Sequence, residues 1–311
     1  MFEKLKERFE WISDRVARST RQIELPLFDG LSLYHVSIFF FRGIIKGSIT
    51  SRASSIAFSF FLALFPGIIF FFTLIPFFPV DSLEMEIFRV FQRVFPPDTF
   101  DAVKSTIEDV MHNKRQGLLS VGFILAMLFS TNGISAIITN FNQTIHKIEE
   151  RSFWQQLVVS LGLTIVISIN FIIGIIVIIF SSDVLNGLLD FFGLEAISSF
   201  AVEVVRSVLL IFVVFIGIVL VYNFAPSGKR KWRFFSPGAI LATILILLSS
   251  YLFSFYVANF NQYNTLYGSI GTLMVIMLWI YINALVLIIG FELNASIAEL
   301  KLNAELEERS A

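Results

Sequence analysis

The chain has 311 residues and not one cysteine, which removes disulfides, thiolate catalysis and Cys-ligated metals together. Charge is scarce. Asp, Glu, Lys and Arg make up 15% of the residues, against roughly 25% in an ordinary soluble domain. A net charge of −1 carries no nucleic-acid signature. The three histidines, His35, His112 and His146, are scattered without the spacing that a metal site needs. Glu108 and His112 lie four apart, which reads as a solvated face. There is no Walker A run and no G-x-S-x-G, so neither a nucleotide-driven pump nor a serine hydrolase is encoded. Metal-assisted RNA cleavage needs clustered carboxylates beside a basic surface, but Glu149 and Glu150 have only Lys147 and Arg151 nearby. These gaps predict no enzyme: no catalytic residue, no metal, no cofactor and no nucleic-acid partner. The first thirty-two residues are polar and charged, which predicts no cleaved signal sequence.

Apolar residues fill the space instead: 56% of the chain, with 37 phenylalanines and a mean hydropathy of +0.79. Six continuous runs, 53–79, 118–141, 157–180, 204–224, 236–260 and 268–295, match the roughly 20 residues that a helix needs to cross a bilayer. None alternates as barrel strands do, and lipid offers unpaired backbone no partner, so all six are expected to be helices. Lys and Arg divide seventeen to six between the two sides, and the richer side holds both ends of the chain. By the positive-inside rule both termini are cytoplasmic. In segment 33–49, His35, Arg42 and Lys46 sit at helical spacing among Phe39, Phe40, Phe41, Ile44 and Ile45. That predicts a helix in the membrane interface with cations toward headgroups. In 80–116, Leu83, Ile87, Phe91, Ile107 and Met111 flank Pro96-Pro97, predicting two amphipathic helices packed as an external cap.

The expected fold is therefore all-α: a polytopic membrane protein with six transmembrane helices, an N-terminal interfacial helix and a helical external cap between the first two spans. Residues 1–52 form a cytoplasmic segment, 53–298 the transmembrane domain and 299–311 a cytoplasmic tail.

Polar residues inside the spans are the candidate functional ones. Asn132, Asn170 and Asn283 are expected to be buried amides, because a lipid-facing amide lacks partners. They serve either as interhelical glue or as the lining of a polar groove. Pro66 and Gly67 are a candidate hinge, since proline removes a helix hydrogen bond and glycine adds freedom; an ordinary packed kink is the plainer alternative. Glu292 can hydrogen-bond an adjacent helix or pair with the basic loop from Lys229 to Arg233, where anionic headgroups would also collect.

Several short stretches recur in a known order. Arg52-Ala53 opens a helix reaching Leu64-Phe65-Pro66, and Asn140 closes the second span. Tyr222-Asn223-Phe224-Ala225-Pro226 precedes Trp232 and Pro237-Gly238-Ala239. Tyr267-Gly268 is followed by Leu278-Trp279 and by Gly290-Phe291-Glu292-Leu293-Asn294-Ala295. In these the chain resembles the BrkB/YihY family of bacterial inner-membrane proteins, historically labelled ribonuclease BN-like, from about Arg42 to Ser296. Phe291 departs from the small residue that the family more often carries. The resemblance implies a six-helix protein of the bacterial cytoplasmic (inner) membrane, linked to serum resistance and to lipid or lipopolysaccharide export. Two functions follow as expectations. One is a transporter or flippase of a lipid or other amphiphile in envelope biogenesis, passive or ion-coupled. The other is a non-catalytic scaffold in envelope assembly. Expected partners are membrane lipids, anionic ones among them, with a homo-oligomer or envelope-assembly proteins as further candidates.

Overall fold

The structure is a computed structural model that describes residues 31–74, 116–144, 151–191, 199–227, 232–259 and 269–310. The predicted cap at 80–116 lies outside the described residues save Gln116, as do Glu108, His112, Lys229, Tyr267 and Gly268.

Every long element is a helix, and no strand occurs among the described residues. We number them α1 (Leu33–Lys46), α2 (Ile49–Leu74), α3 (Gln116–Asn142), α4 (Phe153–Phe191), α5 (Ser199–Phe224), α6 (Pro237–Asn259) and α7 (Ser269–Ser310). Six of these, α2 to α7, are long and apolar enough to cross a membrane. Where the observed helices outrun the predicted spans, they do so beyond the apolar core. α7 has 42 residues and continues through the tail Lys301-Leu302-Asn303-Ala304-Glu305-Leu306-Glu307, where strong helix formers sustain it without lipid. Packing inside the protein buries only 11–33% of each span. Most apolar side chains, such as Phe171, Ile172 and Ile176, therefore face outward, which suits hydrocarbon and not water.

Each spanning helix packs on its neighbour in sequence, and α7 closes against α2, so the six form a ring; α1 lies on α7. Buried side chains concentrate at one end of this ring, where α2, α4 and α6 begin and α3 and α5 finish. We call it the basal end. Its centre is aromatic. Phe141 of α3 stacks on Phe291 of α7 at 4.0 Å with rings nearly parallel, and Tyr222 of α5 meets both edge-on. The departure at Phe291 is thus matched by Phe141.

Local sequence sets the helix ends. Ser236 is the N-cap of α6, its hydroxyl accepting from the Ala239 amide, with Pro237 at the first helical position, where no N–H is missed. Arg151 donates to the carbonyls of Phe224, Ala225 and Pro226 at 2.6–3.2 Å, satisfying acceptors that the end of α5 leaves open. Burial pulls the Arg151 guanidinium below its ordinary range. α2 stays helical straight through Pro66. A Cβ on Gly67 would meet nothing within 4 Å. The hinge pair thus lies within a continuous helix, and Gly67 has no tight contact there.

Candidate functional site

Arg52 sits in the first turn of α2, where α1 hands over through Gly47 and Ser48, the latter in left-handed backbone (φ 47°). Its side chain is 3% exposed and points into the basal end. Nε donates to the Asn140 carbonyl at 2.8 Å, and Nη1 donates to the Gly47 carbonyl and to Glu292 Oε2, both at 3.3 Å. Asn140 belongs to the last turn of α3, whose carbonyls have no partner within the helix, so a cation there completes it.

Glu292 of α7 is 0% exposed. Its Oε2 forms the ion pair with Arg52, and its Oε1 accepts from Thr144 Oγ1 at 2.7 Å. α1 presses on the same carboxylate: a Cβ on Gly43 would lie 2.7 Å from Glu292 Oε1. Among the described residues Glu292 pairs with Arg52, 240 positions away in sequence, while residues 228–231 of the basic fourth loop lie outside the described residues. The backbone of Arg233 in that loop is instead clamped by Asn223, whose amide oxygen accepts from its N–H and whose Nδ2 donates to its carbonyl.

Beside this pair a cleft of about 620 Å³ opens between α2 and α3. Polar positions recur on one face of each helix: Ser51 and Ser55 on α2, with Ser48 just before it, and Asn132, Ser135 and Thr139 on α3, with Gln143 just after it. That three-and-four spacing stacks side chains on one helix face. Asn140 Nδ2 donates to Ser55 Oγ at 3.2 Å, and Gln156 of α4 reaches Ser135 and Thr139 at 2.9 Å each. Asn132 lies ten residues inside Asn142, the end of its span. At 1.5 Å per residue the cleft reaches roughly 15 Å, about half of a 30 Å hydrocarbon core.

The three predicted groove amides do not meet. Asn132 lines the cleft, but it is exposed and not buried as expected. Asn170 is half-buried and donates to the Val213 carbonyl of α5 at 3.3 Å, its amide oxygen fitting where Gly217 has no Cβ. Asn283 is half-buried and donates to Trp279 of its own helix at 2.7 Å. Asn170 is interhelical glue, Asn283 is satisfied locally, and Asn132 alone belongs to the groove. A lipid-facing amide escapes the usual penalty when its own helix supplies the acceptor four residues back.

The remaining recurring positions are largely architectural. Gly238 N–H donates to Asn294 Oδ1, and Asn294 Nδ2 donates to Ser236 Oγ. Pro226 supplies an acceptor to Arg151, and Trp279 packs its ring 6.4 Å from Phe253 of α6. A second cleft, about 320 Å³, is lined by Asn223, Trp232, Arg233, Asn294 and Lys301. The sequence reading missed Thr144 and the Ser51, Ser55, Ser135, Thr139 and Gln143 lining. The one available signal was the helical spacing of hydroxyls and amides at the ends of two apolar runs.

A closed ring of six apolar helices with an ion pair at its base and a polar cleft between two spans defines a polytopic integral membrane protein. The chain belongs to the family described as Virulence factor BrkB, which matches residues 40–311 and so takes in the whole site. It is 33% identical over 79% of its length to a Bacillus subtilis (strain 168) protein named ribonuclease-like, YfkH, covering 88% of that protein. To the UPF0761 membrane protein NTHI0384 of Haemophilus influenzae it is 25% identical over 87% of its length, covering 97% of that relative. A third relative, a UPF0761 membrane protein of Idiomarina loihiensis, is 36% identical over 28% of the chain and 31% of its own length. No solved structure matches.

Proposed function

We propose that this protein moves a lipid or another amphiphile between the leaflets of the bacterial inner membrane, with the α2–α3 cleft as the headgroup's passage. The observation that carries this reading is the cleft itself. Hydroxyls and amides at membrane depth are costly unless hydrogen-bonded, and a mobile headgroup or water is the partner that an open polar cleft admits. A headgroup in turn loses its hydration on entering hydrocarbon, and the two stripes replace those hydrogen bonds. The exposed apolar side chains of α1, Ile38, Phe41 and Ile45, with Arg42 among them, suit a helix lying at the lipid interface beside the entrance. With no ATP site, movement is passive or ion-coupled. Among the described residues the charged group lining the cleft is the Arg52 guanidinium.

Reconstituted into liposomes, the protein is expected to accelerate exchange of fluorescent-headgroup lipids between leaflets, with or without an imposed ion gradient. Asn132→Leu should slow that exchange severalfold while leaving a folded, inserted protein. Movement no faster than in protein-free liposomes under either condition transfers the protein to the scaffold reading.

In this reading the basal end faces the cytoplasm, as the Lys and Arg distribution requires. Ser310→Cys provides a unique thiol in a cysteine-free chain. In intact spheroplasts it should resist a membrane-impermeant maleimide and react once the membrane is permeabilised. Labelling before permeabilisation reverses the orientation and places the cleft on the outer side.

A further inference from the structure

We propose that the α2–α3 cleft is built to bind a phosphate-type anion, with Arg52 as the charged donor. The inference rests on the cleft being the substrate site and adds the chemistry of what it holds. An arginine has five N–H groups. In Arg52 the single Nε hydrogen serves the Asn140 carbonyl, and the two on Nη1 serve the Gly47 carbonyl and Glu292. Both hydrogens of Nη2 are left without an acceptor, in a side chain almost wholly buried. An unsatisfied charged donor carries a large desolvation penalty, so the protein alone leaves this site incomplete. Arg52 is part of the cleft's lining, so an oxyanion that enters comes to rest beside this incomplete guanidinium, and phosphate oxygens suit its planar fork.

The lining selects the same ligand by what surrounds Arg52. Among the described residues the one charged side chain in the lining is Arg52, a cation, which favours an anionic headgroup over a cationic one. Glu292 stands behind Arg52, outside the lining, with both carboxylate oxygens engaged. Ser51 and Asn132, exposed in the cleft, offer donors to the remaining phosphate oxygens and acceptors to neighbouring hydroxyls. The volume, about 620 Å³, lies within the 300–1,000 Å³ typical of small-ligand pockets, enough for a phosphoglycerol group. Glu292 has a second consequence. It neutralises the guanidinium in the empty site and repels an anion once one is bound, so it tempers affinity as well as holding Arg52 in place.

The test is calorimetric titration of the full chain in a neutral detergent with three probes: dihexanoyl phosphatidylglycerol, inorganic phosphate, and dihexanoylglycerol, which lacks the phosphate. The phosphatidylglycerol is expected to bind saturably and dihexanoylglycerol not at all. Arg52→Gln should weaken binding at least tenfold. Glu292→Gln, which keeps hydrogen-bonding capacity for Arg52 and Thr144 but removes the negative charge, should tighten it by about tenfold, the order of one like-charge repulsion in a partly wetted site. A pair that merely holds the fold would weaken binding in both variants. Asn132→Leu, at an exposed position that does not hold the fold, should weaken it by about fivefold, the loss of one hydrogen bond. Inorganic phosphate binding as tightly as the lipid upholds the anion site and assigns it a soluble source. The proposal is overturned if neither phosphate-bearing probe binds, or if Glu292→Gln weakens binding alongside Arg52→Gln. Lipid movement in liposomes without phosphate binding removes this inference and leaves the transport reading standing; binding without movement does the reverse.

Discussion

Glu292→Leu is expected to destabilise the protein in detergent by about 3–5 kcal/mol, the range for removing one partner of a buried ion pair. The size follows from what is left behind. Arg52 is 3% exposed, and without the carboxylate its charge has only backbone carbonyls within reach. Thr144 loses its acceptor in the same substitution. Thermal unfolding followed by fluorescence should show the single variant far below the parent. Arg52→Leu combined with Glu292→Leu should recover much of the loss, since apolar replacement of both partners is often near neutral. A single variant within about 1 kcal/mol of the parent would mean that the pair is solvated or dispensable, contrary to its burial.

The second large effect is expected at the crossing of α6 and α7. A Cβ on Gly238 would overlap the Gly290 carbonyl oxygen and sit within 2.7 Å of the Asn294 amide. A Cβ on Gly290 would overlap the Tyr222 hydroxyl and come within 2.6 Å of the Gly238 carbonyl. Each glycine thus faces the other's backbone, which cannot rotate away as a side chain can. Small residues at such crossings are what allow helices to approach in lipid. Gly238→Val is therefore expected at or beyond the top of the roughly 1–3 kcal/mol overpacking range. It should also cost the Gly238-to-Asn294 and Tyr222-to-Leu287 hydrogen bonds, with little monodisperse protein recovered. Gly67→Ala is the control. Its Cβ would meet nothing within 4 Å, so it should be neutral or stabilise by about 0.5–1 kcal/mol through helix propensity. Size-exclusion profiles and melting curves of the two variants, side by side, check the contrast. Similar behaviour for both would remove the close approach as the reason for glycine at 238.

The six helices were legible because the property that makes them is local. An uninterrupted apolar run of sufficient length has only one way to satisfy its backbone in lipid, and no knowledge of neighbours is needed to see it. Arg52, Asn140 and Glu292 were legible as positions, through the order of the recurring stretches, but not as a unit. Asn132, Asn170 and Asn283 show why. Each amide in an apolar run must find a partner, and the sequence says so. It does not say whether that partner lies four residues back in the same helix, as for Asn283, on the next helix, as for Asn170, or in a ligand, as we propose for Asn132.

The sequence by itself determined that this is a membrane protein, how many times its chain can cross, and which family it resembles. Length, apolarity and order of residues suffice for all three. Only the tertiary structure decided that α7 closes the ring against α2 and so brings Glu292 to Arg52 across 240 positions. It also decided that two stripes of hydroxyls and amides, unremarked among the apolar residues around them, face each other across one cleft. Such meetings depend on the rotation of each helix about its axis and on which helices adjoin. Those are set by packing summed over the whole bundle, with Gly43, Gly238 and Gly290 fixing the closest approaches, and no single stretch of sequence contains them.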